Sequence, residues 1–319
     1  MTRFSRYAGI SLIALASFAP STASAAPATR TWVSGTGNDL APCTQAEPCQ
    51  TFAAAYAKTA VNGVINCQGP GGYGGLTITQ SVSILCDAVD AGIISTTPSA
   101  ITIQAPGAAV TISGIDFNGL DTGQSGISVL SVGKLTIRNS RFRHFVWYAI
   151  DFQPNQKLPA YLTLDNVAIE DNGTAGNSCG VWIRPQAEGD GKIDIHRSRF
   201  GGNLFGGLRV TQSKIDGSHL DVVIDDTQFI NSYIAVNITA PIGGYPVYTY
   251  IVNSTIAENG WGGVFSDGAG AKTTFGNTTI TRNGYALQTQ NKAVNYSFGN
   301  NRLRDNIVDG QFDLIVPES

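Results

Sequence analysis

Charge is scarce in this sequence: only 13% of its 319 residues are Asp, Glu, Lys or Arg, and the formal net charge is −3. Without a basic surface to neutralise phosphates, nucleic acid is excluded as a partner. No apolar run approaches the ~20 residues that span a bilayer, so membrane insertion is excluded as well. Histidine occurs three times, as His144, His196 and His219, far from the cysteine clusters. That spacing does not suit a zinc site. H-E-x-x-H and Walker signatures are missing, which removes the usual zinc-protease and P-loop readings.

What is present begins with a leader. Arg3 and Arg6 precede the short apolar run Ala8–Ala19, and Ala23-Ser24-Ala25 supplies small residues for cleavage after Ala25. Residues 1–25 therefore read as a signal peptide, and the protein as exported to a periplasmic, cell-surface or extracellular location. Residues 26–75 read as an N-terminal strand and helix, and 76–319 as one repetitive body. Glycine is abundant at 37 residues, which suits short strands joined by tight turns. Of the five cysteines, Cys43 with Cys49 and Cys67 with Cys86 are the expected disulfide partners in an exported chain, leaving Cys179 free.

The body repeats roughly every 23–31 residues, the range of solenoids and arrays. Apolar triplets begin at Leu135, Leu162, Ile193, Val222 and Tyr250 and alternate as half-buried strands do. A polar turn follows each, at Asn139, Asn166, Arg197-Ser198, Asp225-Asp226, Asn253, Asn277 and Asn300. After a brief second strand comes another polar column: Asn118, His144, Asn172, Asn203, Asn231, Asn259, Asn283 and Asn306. A small residue then opens a third strand. Three strands per unit, each too short to bury anything alone, call for coils that stack. Asn tolerates the left-handed conformation of a sharp turn, and amides in register ~4.8 Å apart hydrogen-bond along the stack.

This pattern resembles the right-handed parallel β-helix of the pectin-lyase-like superfamily. The segment "TWVSGTGND…PCQTFAAAYAKTAVNGVINCQGPGGYGG" is similar to the start of such proteins, where a strand precedes a helix that plugs the first coil. The helix is expected over Thr51–Ala60, with Phe52, Ala55, Tyr56 and Thr59 inward and Asn62-Gly63 as its stop. The implied class is all-β, a single-stranded right-handed parallel β-helix with a short N-terminal capping helix. The polygalacturonase-like residues of that superfamily are missing: Asp225-Asp226 is the only paired Asp in a coil turn, without His-Gly or Arg-Ile-Lys. The Asp-Pro-His-Glu motif of mannuronan epimerases is absent too.

Stacking the third strands lines up one outward column: Ser128, Asp151, Trp182, Arg209, Asn237, Phe265 and Gln288. Two residues on lie Gln153, Arg184 and Thr211. The resemblance implies a sugar groove on this sheet, with polysaccharide as partner. For β-elimination on an acidic glycan, Arg209, Arg184 and Asp151 are the catalytic candidates, since cations must neutralise the uronate before its α-proton can leave. Trp182, Asn237, Phe265 and Tyr245 would contact sugar. Asp151, Glu170 and Asp171 would supply oxygens for Ca²⁺, the cofactor such lyases use. Loops Pro185–Lys192, Thr211–Asp221 and Thr239–Thr249 would wall the groove. The missing motifs equally suit a non-catalytic exported β-helix that binds glycan or another surface, and both readings stand open.

Overall fold

The computed structural model describes residues 26–96, 98–174, 176–186, 190–212, 219–241 and 246–316; residues 1–25, the expected leader, lie outside them. Each coil lays down three strands. Cys179–Ile183, Gly191–His196 and Arg199–Gly201 form one coil, followed by Gly206–Thr211, Leu220–Asp225 and Gln228–Ile230. Every strand pairs in parallel with its equivalent one coil away, so Val181 meets Leu208, Ile193 meets Val222, and Phe200 meets Phe229. The result is a parallel β-helix with three walls, here called A, B and C in the order of the strands just named. Ala28–Val33 and Thr59–Cys67 already belong to this stack, pairing with each other and onward to Val82–Leu85.

Alternation decides the core. In Gly191–His196, Ile193 and Ile195 are fully buried while Asp194 and His196 are half-buried on the outside. Like stacks on like because the register is strict: Phe117 and Phe142 lie parallel with ring centroids 4.3 Å apart, and Phe200 and Phe229 follow at 4.6 Å. Stacked aromatic pairs of this kind add to the area they bury. At the mouth of wall A a small residue is required. A Cβ on Gly207 would sit 2.7 Å from the Ala235 carbonyl oxygen.

Two turns per coil carry the polar columns. Between walls B and C, Asn139, Asn166, Arg197, Asp226, Asn253 and Asn277 all have φ between 45° and 55°. The next residue forms a buried hydroxyl ladder: the Val167 N–H donates to Ser198 Oγ (3.1 Å), and the Thr227 N–H to Ser254 Oγ (3.2 Å). Between walls C and A the expected asparagine column resolves into two. The left-handed residue comes first, at His144, Asp171, Gly202, Asn231, Glu258, Arg282 and Asp305. The buried ladder follows one residue later, at Asn172, Asn203, Ser232, Asn259, Asn283 and Asn306. His144 and Asn231 thus belong to the strained position, not the ladder. Asn118 instead accepts the Leu120 N–H, and Asn300 follows the left-handed Gly299. The separation has a physical cause. The turn residue must tolerate a positive φ, whereas its successor must donate inward and accept from the previous rung. Asn259 does both, donating to the Phe229 and Ala257 carbonyls and to Asn283 Oδ1 while its Oδ1 accepts the Ser232 N–H.

The helix is shorter than expected. It spans Phe52–Ala57, with Phe52 and Ala55 buried and Tyr56 half-buried; Thr59 is buried too, but inside the next strand. Lys58, not Asn62-Gly63, ends it. A six-residue helix cannot rest on its own propensity, and its start is tied down by a carboxylate. Asp39 accepts the Gln50 and Thr51 N–H groups and the Thr51 hydroxyl, while Thr51 caps Ala54. Both expected disulfides are present, Cys43–Cys49 and Cys67–Cys86, and Cys179 is free and buried.

Replacing Asn259 by Ala strands the Ser232 N–H and two inward carbonyls. It should cost on the order of 3 kcal/mol in chemical denaturation. Asn253→Gly, at an exposed left-handed turn, should change stability by less than ~1 kcal/mol. At Asp39, burial raises the carboxyl pKa but the hydrogen bonds from Thr51 and Gln50 outweigh it and hold the group low. Its contribution is therefore complete above the ordinary carboxylate range and is lost as pH falls through the depressed value. Amide exchange over residues 51–58 should accelerate in acid more than in Asp39→Asn, where that pH dependence disappears.

Candidate functional site

Wall A carries the outward column in the expected order. Ser128 pairs with Asp151, Asp151 with Trp182, Trp182 with Arg209, Arg209 with Asn237, Asn237 with Phe265, and Phe265 with Gln288. What these side chains do differs from the expectation. Asp151 faces outward yet is only 5% exposed. Arg184 reaches back one rung and grips it with two bonds, Nε to Oδ1 at 2.8 Å and a terminal nitrogen to Oδ2 at 2.7 Å. Gln153 adds a third donor at 2.8 Å. That bidentate hydrogen bonding raises the Arg184 pKa further against the opposing effect of burial. The two charges are committed to each other.

Trp182 is enclosed between cations. The Arg184 guanidinium carbon lies 4.0 Å from the indole centroid, and that of Arg209, from the next rung, lies 4.7 Å away. Tyr148 leans on the same ring at 5.2 Å, and the indole N–H donates to Thr211 Oγ1. The surface that a stacked sugar would need on Trp182 is therefore taken up by guanidinium groups. Cation–π contacts of this sort hold arginines in place at ~0.5–2 kcal/mol each.

Arg209 is the member left over. Among the described residues it makes no ion pair, and its Nε is buried without a hydrogen-bond partner. It lines a pocket of about 310 Å³ with Asn177, Ser178, Phe205, Tyr233 and Asn237. That volume is at the lower end of small-molecule sites. Ser178 Oγ is likewise buried and unpartnered. Buried polar atoms ordinarily find partners, but Gln156, Thr249, Gln288 and Asn295 also carry such an atom, so the two are not peculiar to this pocket. Ser178 also sits in a Gly176-Asn177-Ser178-Cys179-Gly180 pattern, the spacing of a serine nucleophile. The pattern opens a strand, not a helix, and among the described residues no base bonds the hydroxyl. Beneath the pocket, burial pushes the Cys179 thiol far up, against the opposing influence of Arg209, so it stays protonated.

The sequence reading missed the aromatic ledge beside this pocket. Phe205, Tyr233 and Trp261 precede the wall A strand on successive rungs, joined by Ile234 N–H to Phe205 O and Gly262 N–H to Tyr233 O. Tyr233 and Trp261 stack at 6.1 Å, Tyr285 follows at 5.7 Å, and Phe265 meets Trp261 edge-on at 5.5 Å. Tyr233 is 49% exposed and Phe205 and Tyr285 are each 38% exposed. The signal was in the repeat: an aromatic residue lies one or two positions after the ladder residue in "NLFGG", "NSYIA", "NGWGG" and "NGYAL".

The three carboxylates expected to share a metal are apart. Asp151 lies on wall A inside its pair with Arg184. Glu170 lies on wall C, taken by Arg141 and Arg199 at 3.0 Å each. Asp171 occupies the following left-handed turn. Among the described residues, no three His, Cys, Asp or Glu side chains gather as a metal site. Asp225 accepts from Asn253 and Asp226 is left-handed, so that pair serves its turn. Tyr245 and the centres of the three loops lie outside the described residues.

Breaking the Asp151–Arg184 pair on one side leaves a buried carboxylate uncompensated. Arg184→Ala should therefore lose about 3 kcal/mol in urea unfolding. Combining it with Asp151→Asn should recover more than half of that loss.

No family model matches the chain, and none of the curated proteins matches it. Among solved structures, the pectate lyase Pel9A superposes with a TM-score of 0.59 at 15% identity, covering 84% of this chain and 74% of that one. The ORF18 protein of Geobacillus virus E2 gives 0.47 at 11% identity, over 74% of this chain and 53% of its own. The A-module of the Azotobacter vinelandii mannuronan C-5 epimerase AlgE4 gives 0.40 at 13%, over 81% and 91%. Together with the three stacked walls, the match to the pectate lyase identifies the architecture: this chain has the right-handed parallel β-helix fold of the pectin-lyase-like proteins.

Proposed function

We propose that this protein is an exported glycan-binding β-helix. In this reading an oligosaccharide lies along wall A, its sugar rings on the aromatic ledge and an acidic group in the Arg209 pocket. The observation that carries the reading is Arg209, which has no ion pair among the described residues, in a pocket bordered by exposed Phe205 and Tyr233. Flat apolar faces beside convergent polar groups are what a sugar ring requires, since its C–H faces stack and its hydroxyls hydrogen-bond. Two disulfides fit an oxidising destination, in keeping with the leader. A likeness of fold to a pectate lyase adds support for carbohydrate as the partner, at the level of analogy.

Cleavage by β-elimination is the second reading, and the free Arg209 guanidinium favours it. Paired with a uronate, it would make the neighbouring C–H more acidic. A base is then needed. Arg184 is held protonated by Asp151, and Tyr148 is pushed up chiefly by burial, so neither accepts a proton at neutral pH. Binding is the stronger reading.

Calorimetric titration against a panel of neutral and acidic oligosaccharides, with and without Ca²⁺, is the test. Binding should fall about tenfold in Tyr233→Ala and in Arg209→Ala, a loss of ~1.4 kcal/mol each. No ultraviolet-absorbing unsaturated product should appear. Failure to bind any glycan would sink the reading, and product formation abolished in Arg209→Ala would replace it with the lyase.

A further inference from the structure

Resting on that glycan reading, the distribution of charge along wall A narrows the ligand. Beyond Arg209 the outward column continues with Asn237, Phe265 and Gln288, all uncharged. Before it stand Trp182, the neutralised Asp151, Ser128, Thr102 and Thr77. The neighbouring column runs Thr211, Thr239, Asp267 and Gln290. Asp267 makes no ion pair among the described residues, and its Oδ1 accepts from Asn291 at 2.7 Å. The described part of this wall thus offers one unneutralised cation and, two rungs further on, one unneutralised anion. The aromatic ledge covers the same stretch, from Phe205 to Tyr285.

We infer that the ligand is a glycan with an isolated carboxylate among neutral sugars, and not a polyuronate charged at every residue. A sugar in an extended chain advances by a distance comparable to the ~4.8 Å rung spacing. With one carboxylate on Arg209, a fully charged chain brings a second to the Asn237 rung, where no cation meets it. A third then lies close to Asp267, about 10 Å along. Each of these carboxylates loses water without a compensating charge, and the last is repelled outright. Neutral rings at the same places bury no charge and gain the faces of Tyr233, Trp261 and Tyr285.

The experiment titrates the protein with hexasaccharides of gluco, xylo and galacto configuration. Each is prepared in neutral, singly carboxylated and fully uronate forms, with and without Ca²⁺. In the configuration that binds, the singly charged form should lead both others by roughly tenfold. Arg209→Gln should weaken that form by about tenfold more than the neutral one. Asp267→Asn should improve the fully uronate form by a few-fold. Tightest binding by the fully uronate form, or a single-carboxylate preference that survives Arg209→Gln, overturns the inference and leaves glycan binding standing. Absence of binding by every form overturns both.

Discussion

The whole molecule depends on one constraint: equivalent residues of successive coils must lie in parallel register, one rung above another. The backbone bonds of a parallel stack fix that register, and they place every side chain beside its counterpart from the repeat before. Apolar positions become continuous columns inside, and polar positions become ladders at the corners. A buried asparagine that would be costly alone is satisfied because its neighbours along the axis are also asparagine. Repetition in sequence is thereby converted into cooperativity in space.

The same constraint builds the candidate site. Register brings Asp151, Trp182 and Arg209 onto adjacent rungs although they are far apart in the chain. A column holding an acid, an indole and a guanidinium has to settle its charges locally. Arg184 does so by folding back onto Asp151, and Trp182 is left between two cations. What remains for a ligand is the charge this arrangement leaves unmatched, next to a ledge whose rings the register has also stacked.

Much of the site was legible because a column is a consequence of period. Counting along the repeats was enough to align Ser128 through Gln288, whereas the five cysteines left several pairings open until the structure joined Cys67 to Cys86. Counting failed where a side chain leaves its own rung. The Arg184–Asp151 grip links different columns on different coils, which no alternation pattern encodes. It failed again at the turns between walls C and A, where two adjacent polar positions with different duties were merged. Asn231 and Asn259 look alike in sequence, but one relieves a positive φ and the other fills a buried donor–acceptor site. The separation of Glu170 from Asp151 escaped for a related reason: proximity in the coil says nothing about which wall a residue faces.

By itself the sequence determined the coil. Three alternating strands per repeat, small residues at the start of wall A and polar residues at its corners are local demands of backbone geometry, and each is written within a single repeat. Only the tertiary structure decided which outward charges cancel, which aromatic rings stay open, and that Arg209 stands unmatched among the described residues. Those outcomes are set by side chains reaching across rungs and columns, where distance in space and not spacing along the chain governs the energy.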